Sequence, residues 1–449
     1  MMRRNIDIVN GSMPKKLISF AMPVMLTGIL QLLFNTCDMI IVGQFSGSDA
    51  LAAVGATTYL VNLLINAFLG LSVGVNVVAA LYFGARDHEN FQKTVHTAVT
   101  LSLVCGIPLA ILGIIVCRPC LAAMNTPSNV LDGATLYMRI LFSGIPFLLL
   151  YNFGAAILRA QGNTRQPLLF LTMSGIINVV LNIILVTVFH LSVAGVAIAT
   201  VTSQFVSALL ILHCLRDPKS LYCLDFRKLR ISFVLLKKIF SIGIPATVNS
   251  MLFNISNTQI QSSVNIFGSA AIAGSAAAGC IDNFIYTSMN AMHQTSVNFT
   301  AQNVGAGQNH KISKILYLCL LYVTIIGVGA GAIALLFNRQ LLMLYTRDIA
   351  AIEHGLVRLN IIASTYFLCG YMEVITGVLR GMGYSVFPTL VSCVCICGFR
   401  LAWIMTVFKA TPSLFILFIA YPVSWIITTL ILFVFYFIFK RKQNKFSIK

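Results

Sequence analysis

The stretch LRAQGNTRQP at residues 158–167 recurs as LRGMGYSVFP at residues 379–388. Arg159, Gly162 and Pro167 of the first copy reappear in the second as Arg380, Gly383 and Pro388, all at one constant offset. Each copy follows an apolar segment that is long enough to cross a bilayer. The chain therefore contains an internal duplication, which is the first feature to establish in any fold assignment.

Two further pairs of residues keep nearly the same offset along the chain. Pro245 repeats Pro23, and Gly305 repeats Gly84, in a register that agrees with the first motif to within a single position. A register held from the first span to the end of the fourth is hard to obtain by chance. With six spans in each half, equivalent loops fall on the same side of the membrane. The halves are therefore predicted to be parallel repeats about a pseudo-two-fold axis along the membrane normal.

The composition is that of a membrane protein. Hydrophobic residues make up 58% of the 449 residues, charged residues only 9%, and the mean hydropathy is +0.90. Soluble domains have about 45–50% apolar and about 25% charged residues. The apolar stretches are approximately 17–42, 51–82, 95–117, 134–158, 167–189, 192–214, 238–266, 272–303, 315–338, 356–379, 387–408 and 413–439. Because only helices satisfy their own backbone in lipid without closing a barrel, we predict an all-α polytopic protein with 12 transmembrane helices in two six-helix lobes.

The basic charge defines the topology. The net charge is +18, and 23 of the 30 Lys and Arg residues fall on the side that holds both termini and the loop after the sixth span. The positive-inside rule places that side in the cytoplasm. The same rule accounts for the basic net charge, so nucleic-acid binding is not needed to explain it. The predicted divisions are an N-lobe at 1–214, a basic cytoplasmic linker at 215–237 and a C-lobe at 238–449. The first apolar stretch is too long for a signal-peptide core, so a multi-pass protein of the cytoplasmic membrane is expected.

The duplication favours a carrier over a channel or an enzyme. Two similar bundles that face each other would enclose a cleft near the bilayer midplane and expose it alternately to each side. Cys117 and Cys120 form a CxxC pair without accompanying histidines, and the histidines have no metal-ligand spacing. We therefore expect no enzymatic activity, no metal site and no cofactor beyond a coupling ion.

Asp38 is the strongest candidate for an ion-binding residue. It lies inside the first span, where a carboxylate is costly and is by default a functional hypothesis. Asn178 and Asn182 are four residues apart on one face of the fifth span, and Thr200 lies in the sixth. Carboxylate, amide and hydroxyl oxygens suit a small hard cation. Alternatively, Asp38 carries a proton alone, or these groups only join helices through hydrogen bonds.

The second half has a different set of polar residues. The counterpart of Asp38 is Ile260, and the seventh span is instead rich in neutral polar residues that include Gln259. Arg400 is the basic residue deepest in an apolar span, and we expect it to pair with Glu373 or Asp282. The candidates for substrate binding or proton movement are Glu373, Asp282, Gln259, Asn152 (the repeat counterpart of Glu373), His293 (three turns from Asp282) and Arg400.

Several motifs together resemble the multidrug and toxic compound extrusion (MATE) family, in its prokaryotic branch. They are AMPVMLTGILQLLFNTCDMIIVGQFSGSDALAAVG, GLSVGVNVVAALYFGARD, ILRAQGNTRQP, NVVLNIILVTVFHLSVAGVAIATVTSQ and VLRGMGYSVFP. The resemblance covers essentially the whole chain. It implies a V-shaped pair of lobes and a monomer. It also implies export of amphiphilic, often cationic drugs against an inward flow of Na⁺ or H⁺.

The resemblance also gives roles to individual residues. The family pattern of an Asp in helix 1, an Asn in helix 5 and a Thr in helix 6 is matched by Asp38, Asn178 and Thr200. The family's Asp in helix 5 is replaced by Asn182, and this loss of a charge favours protonation of Asp38 over tight Na⁺ binding. Family members with an acid in helix 10 imply a related role for Glu373.

Two other transporter classes remain as alternatives. A lipid-linked saccharide flippase of the same superfamily would favour a strongly basic central cavity to hold a pyrophosphate, whereas this interior has three acids and one clear Arg. A major-facilitator carrier would show a GxxxDRxGRR-like loop after the second span, where this chain has FGARDHENFQK at residues 83–93.

Overall fold

The computed structural model describes residues 6–46, 48–124, 126–217 and 223–446, and the regular structure in these ranges is entirely helical. Within them, twelve long helices succeed one another along the chain. They are α1 (Met13–Phe45), α2 (Ser48–Gly84), α3 (His88–Ala123), α4 (Ser128–Ser143 and Ile145–Ala160), α5 (Arg165–Ile183, continued by Ile184–Val188), α6 (Ser192–Leu215), α7 (Phe233–Val264), α8 (Ser269–Gly305), α9 (Ile312–Leu336), α10 (Ile349–Gly381), α11 (Val386–Ser392, continued to Phe408) and α12 (Leu414–Phe446). Short helices occupy Phe226–Lys228, Asn265–Phe267, Asn309–Lys311 and Asn338–Met343.

Most of these helices are suited to a bilayer. Within the described residues, nine segments are long and apolar enough to cross a membrane, and the two parts of α4, which meet at 44°, make a tenth. The remaining long helices described, α2 and α8, each have 37 residues, and α8 is rich in Ser, Thr and Asn. The prediction of an all-α polytopic membrane protein is confirmed.

The described residues form two compact units. The first contains Leu26–Gly243, and the second contains Asp7–Met25 together with the chain from Ile244 onward. The beginning of α1 is thus part of the second unit, where Phe20 packs edge-on against Phe299 of α8 at 5.6 Å between ring centroids. The lobe boundaries at 1–214, 215–237 and 238–449 stay predictions.

The repeated motif ends a helix in the same way in both halves. Gly162 and Gly383 have φ angles of +81° and +91°, a conformation that glycine adopts without steric cost. The next residue donates its backbone N–H to the carbonyl five positions earlier, from Asn163 to Leu158 in the first copy, at 2.9 Å. This is the hydrogen-bond pattern of a Schellman cap. The motif that reveals the duplication is therefore a helix stop.

Helices α5 and α11, which are equivalent in the two halves, both contain π-helical turns. In α5 the turn is Ile184–Val188, which begins two positions after Asn182. In the described α11 there are two, at Cys393–Gly398 and Ile404–Phe408, and they flank the short α-helical piece that carries Arg400. Such turns are often found at functional sites because they redirect the side chains around them.

Close contact between α8 and α10 shapes the second unit. A Cβ added at Gly274 would lie 2.0 Å from the backbone oxygen of Ala351, so only glycine fits there. This contact lets the two helix backbones approach closely, as small residues do in membrane bundles. The polar side chains of α8 and α10 consequently face one another.

Candidate functional site

The four polar residues predicted in the first half lie together in the first unit. Asn182 of α5 donates from Nδ2 to Asp38 Oδ1 of α1 at 2.5 Å and to Asn178 Oδ1 at 3.3 Å. Asn178 in turn donates from Nδ2 to Thr200 Oγ1 of α6 at 3.4 Å. The structure thus brings a carboxylate, two amides and a hydroxyl into one connected group across three helices.

The surroundings of this group are apolar on one side. Asn178 and Asn182 are buried, and Asp38 and Thr200 are partly exposed. One turn beyond Asp38, Ile41 and Val42 belong to a buried apolar cluster. Because Asn178 and Asn182 are one turn apart, both amides point to the same face of α5. The two amides therefore point into the core, and the Asp38 carboxylate remains partly exposed.

Two oxygens of this group, Asp38 Oδ2 and Asn182 Oδ1, can accept further hydrogen bonds. Thr200 Oγ1 lies 3.5 Å from Asp38 Oδ2 but 2.9 Å from its own helix at Val196 O, and a hydroxyl has a single hydrogen to donate. Asn182 Oδ1 is buried and has no hydrogen-bond partner within the described structure. Buried acceptors are normally satisfied. An unsatisfied amide oxygen next to a carboxylate is an arrangement that can receive a cation.

Asn152 does not join this group. It lies on α4, and its Nδ2 donates to Leu148 O of the same helix at 2.9 Å. The repeat relation to Glu373 therefore places the two residues at equivalent positions without giving Asn152 the same kind of contact.

Asp282 is paired with Arg358 rather than with Arg400. Its Oδ2 accepts from Arg358 Nε at 3.1 Å, and Arg358 Nη1 also donates to Ser275 Oγ at 2.9 Å. The Arg358 side chain is only 15% exposed, although it lies near the beginning of the tenth span. The expected pairing of Asp282 with Arg400 is therefore wrong, because the close contact of α8 and α10 brings Arg358 to Asp282 first.

Glu373 lies next to His293. His293 Nδ1 of α8 lies 2.8 Å from the backbone oxygen of Glu373 and 3.3 Å from Glu373 Oε2 of α10. Both side chains are buried. The expected pairing of Glu373 with Arg400 is also wrong, and His293 interacts with Glu373 rather than with Asp282 on its own helix.

Arg400 contacts uncharged groups among the residues that the structure describes. Its Nε donates to Ser424 Oγ at 3.1 Å, and its Nη1 donates to Asn257 Oδ1 at 3.1 Å and to Ser256 Oγ at 3.3 Å. The guanidinium carbon lies 4.1 Å from the ring centroid of Tyr421. Tyr421 and Ser424 of α12 were not predicted from the sequence. The signal that could have revealed them is a Tyr and a Ser one turn apart in an apolar span.

Gln259 remains separate from the contacts described above. It is partly buried on α7, and its Oε1 has no hydrogen-bond partner in the described part of the chain. Histidines, cysteines and acids form no group of three or more suited to a metal ion within the described residues.

Comparison with known proteins places the chain in a defined family. The MatE family model matches it twice, at residues 23–184 and 245–406, which together exceed half of the chain. The curated relatives include the probable multidrug resistance protein YoeA of Bacillus subtilis, 28% identical over 94% of both chains. They also include an FAD transporter of Shewanella oneidensis, 24% identical over 78% of both chains.

Solved structures share the fold. One is the outward-facing conformation of a multidrug resistance MATE family transporter of the MOP superfamily, with a TM-score of 0.92 and 21% identity over 99% of this chain and 100% of that chain. Another is a MOP superfamily transporter from Pyrococcus furiosus, with a TM-score of 0.90 and 21% identity over the full length of both chains. The resemblance inferred from the sequence motifs is confirmed.

Proposed function

We propose that this chain, which belongs to the MatE family, exports amphiphilic, often cationic drugs or toxic compounds across the cytoplasmic membrane in exchange for an inward-moving cation. Relatives named as multidrug resistance proteins support the export of drugs. The unsatisfied Asn182 Oδ1 beside Asp38 carries the proposal of cation coupling. No enzymatic step is part of this proposal.

The coupling ion would act by reversing the hydrogen bonds around Asp38. An ionised Asp38 accepts from Asn182 Nδ2. A protonated Asp38 becomes a donor and needs an acceptor, which Asn182 Oδ1 supplies if the amide turns over. The turned amide no longer donates to Asn178, so the change extends along α5 toward Thr200. Protonation at one carboxyl would in this way repack three helices.

Either H⁺ or Na⁺ fits the residues, and the charge favours H⁺. For Na⁺, the ligands would be oxygens of Asp38, Asn178, Asn182 and Thr200, with a single formal negative charge among them. A second carboxylate would be the usual way to strengthen such a site. Because position 182 holds an amide, a proton on Asp38 is the simpler coupling event.

Transport would follow from a difference in affinity between two states. The cation binds Asp38 from outside and stabilises a state in which the drug binds weakly, so the drug leaves outward. A ligand shifts a conformational equilibrium only by its differential affinity for the two states. The π-helical turn that follows Asn182 gives α5 a place at which its hydrogen bonding can change. Alternating access with both termini in the cytoplasm completes the proposal.

A lipid-linked saccharide flippase is the weaker candidate. The structure does add the partly buried Arg358 and the buried Arg380 to Arg400, so the interior is more basic than the sequence indicated. However, Arg358 is neutralised by Asp282, and the two curated relatives reported above are named as a probable multidrug resistance protein and as an FAD transporter.

The test is efflux of ethidium from vesicles that contain the purified protein, under an imposed pH gradient and then an imposed Na⁺ gradient. Whichever gradient drives efflux identifies the ion. Asp38→Asn should reduce gradient-driven efflux by at least about tenfold, since it removes the single formal charge of the group. Asp132→Asn is the matched control, because Asp132 is an exposed acid of the same unit that pairs with Arg118. Efflux by Asp38→Asn at the wild-type rate would refute the coupling role.

A further inference from the structure

Arg400 is a buried cation without a buried anion beside it. Its side chain is 1% exposed, and no acid in the described structure lies within ion-pair distance of it. Neither buried acid described in this unit lies beside Arg400, since Asp282 pairs with Arg358 and Glu373 faces His293. An arginine cannot lose its proton in a protein, so the charge stays. A bilayer-spanning segment that keeps an uncompensated guanidinium has a functional site as its default interpretation.

The guanidinium has donors to spare. It carries five N–H groups, and the three bonds to Ser424, Asn257 and Ser256 engage Nε and Nη1. Nη2 makes no hydrogen bond to any residue that the structure describes, so both of its hydrogens are available. The edge formed by Nη1 and Nη2 is the edge that binds a carboxylate or a phosphate through two parallel hydrogen bonds.

The surrounding side chains fix the plane of the guanidinium. The Tyr421 ring lies 4.1 Å from the guanidinium carbon, and Ser424, one turn later on α12, holds Nε. A stacked and hydrogen-bonded guanidinium is preorganised, so little side-chain entropy is lost when a ligand binds. None of these neighbours carries a negative charge, so an anionic ligand could neutralise the guanidinium.

The site can be reached along α7. Asn257, which accepts from Nη1, is exposed, and so are Asn254 and Thr258 on the same helix. Exposed amides and hydroxyls in a membrane-spanning helix require water or polar partners, because lipid tails offer none. Asn257 therefore stands between the buried guanidinium and a polar, solvated helix face. Displacement of this one amide would open the Nη1 and Nη2 edge.

We propose that the group around Arg400 binds the anionic part, a carboxylate or a phosphate, of an amphiphilic cargo. This proposal rests on the export function proposed above and extends its cargo from cationic drugs to anionic and zwitterionic amphiphiles. Asn257 is the residue that the anion displaces, and Tyr421 orients the guanidinium that receives it.

The binding test uses three probes of one shape: 4-phenylbutyrate, 4-phenylbutanol and 4-phenylbutylammonium. They are titrated into the full chain in neutral detergent, without any gradient. The only two tryptophans of the sequence, Trp403 and Trp425, lie one turn from Arg400 and next to Ser424, so their fluorescence reports on occupancy. We expect the butyrate to bind about tenfold more tightly than the alcohol, which is typical of a charge-assisted hydrogen bond. Arg400→Gln should abolish this preference, and Arg400→Lys should keep part of it.

A second variant keeps the test decisive if Arg400→Gln does not fold. Asn257→Asp places a carboxylate of the same shape against Arg400 Nη1, so it should raise the melting temperature and remove the preference for butyrate. Phosphatidylglycerol that competes with butyrate would identify a lipid phosphate as an occupant of the same site. A butyrate preference that is absent from the wild type, or that survives in Asn257→Asp, would overturn the proposal. Asp38→Asn should leave binding unchanged, so failure of the coupling mechanism is separately visible.

Discussion

Removal of either partner of the Asp282–Arg358 pair should destabilise the protein strongly, and removal of both should cost much less. The two charged groups lie 3.1 Å apart and are largely buried, with side chains 5% and 15% exposed. Loss of one partner of a buried ion pair typically costs about 3–5 kcal/mol, because the other charge is left uncompensated. The free energies of unfolding of the two single variants should differ in their dependence on pH.

Asp282→Asn leaves Arg358 charged at every accessible pH. Arg358 keeps its bond to Ser275 at 2.9 Å and its position 5.7 Å from the Phe418 ring, and the new amide oxygen can still accept from Nε. The expected cost is therefore about 3 kcal/mol, at the lower end of the range, and it should be the same at pH 5 and pH 7.

Arg358→Met leaves a buried acid that can be neutralised by a proton. Protonating an ordinary Asp at pH 7 costs about 4 kcal/mol, and this cost falls by about 1.4 kcal/mol for each pH unit that is removed. The penalty should accordingly fall from about 4 kcal/mol at pH 7 to about 1.5 kcal/mol at pH 5. The sign is that of a group that must bind a proton to fold, so stability is lost as the pH rises.

The double variant should lose about 2 kcal/mol, so the double-mutant cycle should give a coupling of about 5 kcal/mol at pH 7. Unfolding in mixed micelles, followed by circular dichroism, measures all three variants. Glu353→Gln is the matched control, because its partner Arg339 lies at 2.9 Å but both side chains are more than half exposed. Such a pair should contribute less than about 1 kcal/mol.

The same variants decide what Asp282 does. If the pair only joins α8 to α10, the double variant should export ethidium at close to the wild-type rate. A folded double variant without transport would show that Asp282 takes part in proton or substrate binding, and a coupling below about 1 kcal/mol would refute the energetic argument.

Two further predictions concern single positions. Asn182→Asp adds a carboxylate next to Asp38, and we expect it to increase efflux under a Na⁺ gradient relative to efflux under a pH gradient; an unchanged ratio in vesicles would contradict the ligand assignment. Gly274→Ala should destabilise the chain by at least about 2 kcal/mol in thermal unfolding, because its Cβ would lie 2.0 Å from a backbone oxygen. Gly329→Ala, where no atom lies within 4 Å of the added Cβ, should be neutral or slightly stabilising.

The group around Asp38 could be predicted from the sequence for a physical reason. A four-residue spacing in a helix fixes two side chains on one face, so Asn178 and Asn182 had to point the same way. An isolated acid in an apolar span then needed polar neighbours, and few residues offered them. Thr200 was such a residue in the sixth span, and the family resemblance pointed to it as well. The spacing does not determine which atom donates each hydrogen bond. The unsatisfied oxygen of Asn182 could therefore not be predicted.

The partners in the second half could not be predicted because they depend on how closely helices approach. Arg358 lies near the beginning of the tenth span, where the side chain of a basic residue usually extends into water. In the structure, the contact at Gly274 brings α10 against α8, so Arg358 lies beside Asp282 instead. Charge alone also suggested an acid for Arg400, whereas the structure surrounds it with hydroxyls, an amide and a ring.

The described α11 contains two π-helical turns, whereas its counterpart α5 contains one. A π-helical turn encloses one more residue than an α-helical one. One residue more or less in such a turn rotates every later side chain of the helix by about 100°. Because Arg400 directly follows the turn at Cys393–Gly398, the length of that turn sets the direction of its guanidinium. A deletion of one residue there would turn the charge away from Ser424 and Asn257 while the loops at both ends of α11 keep their length.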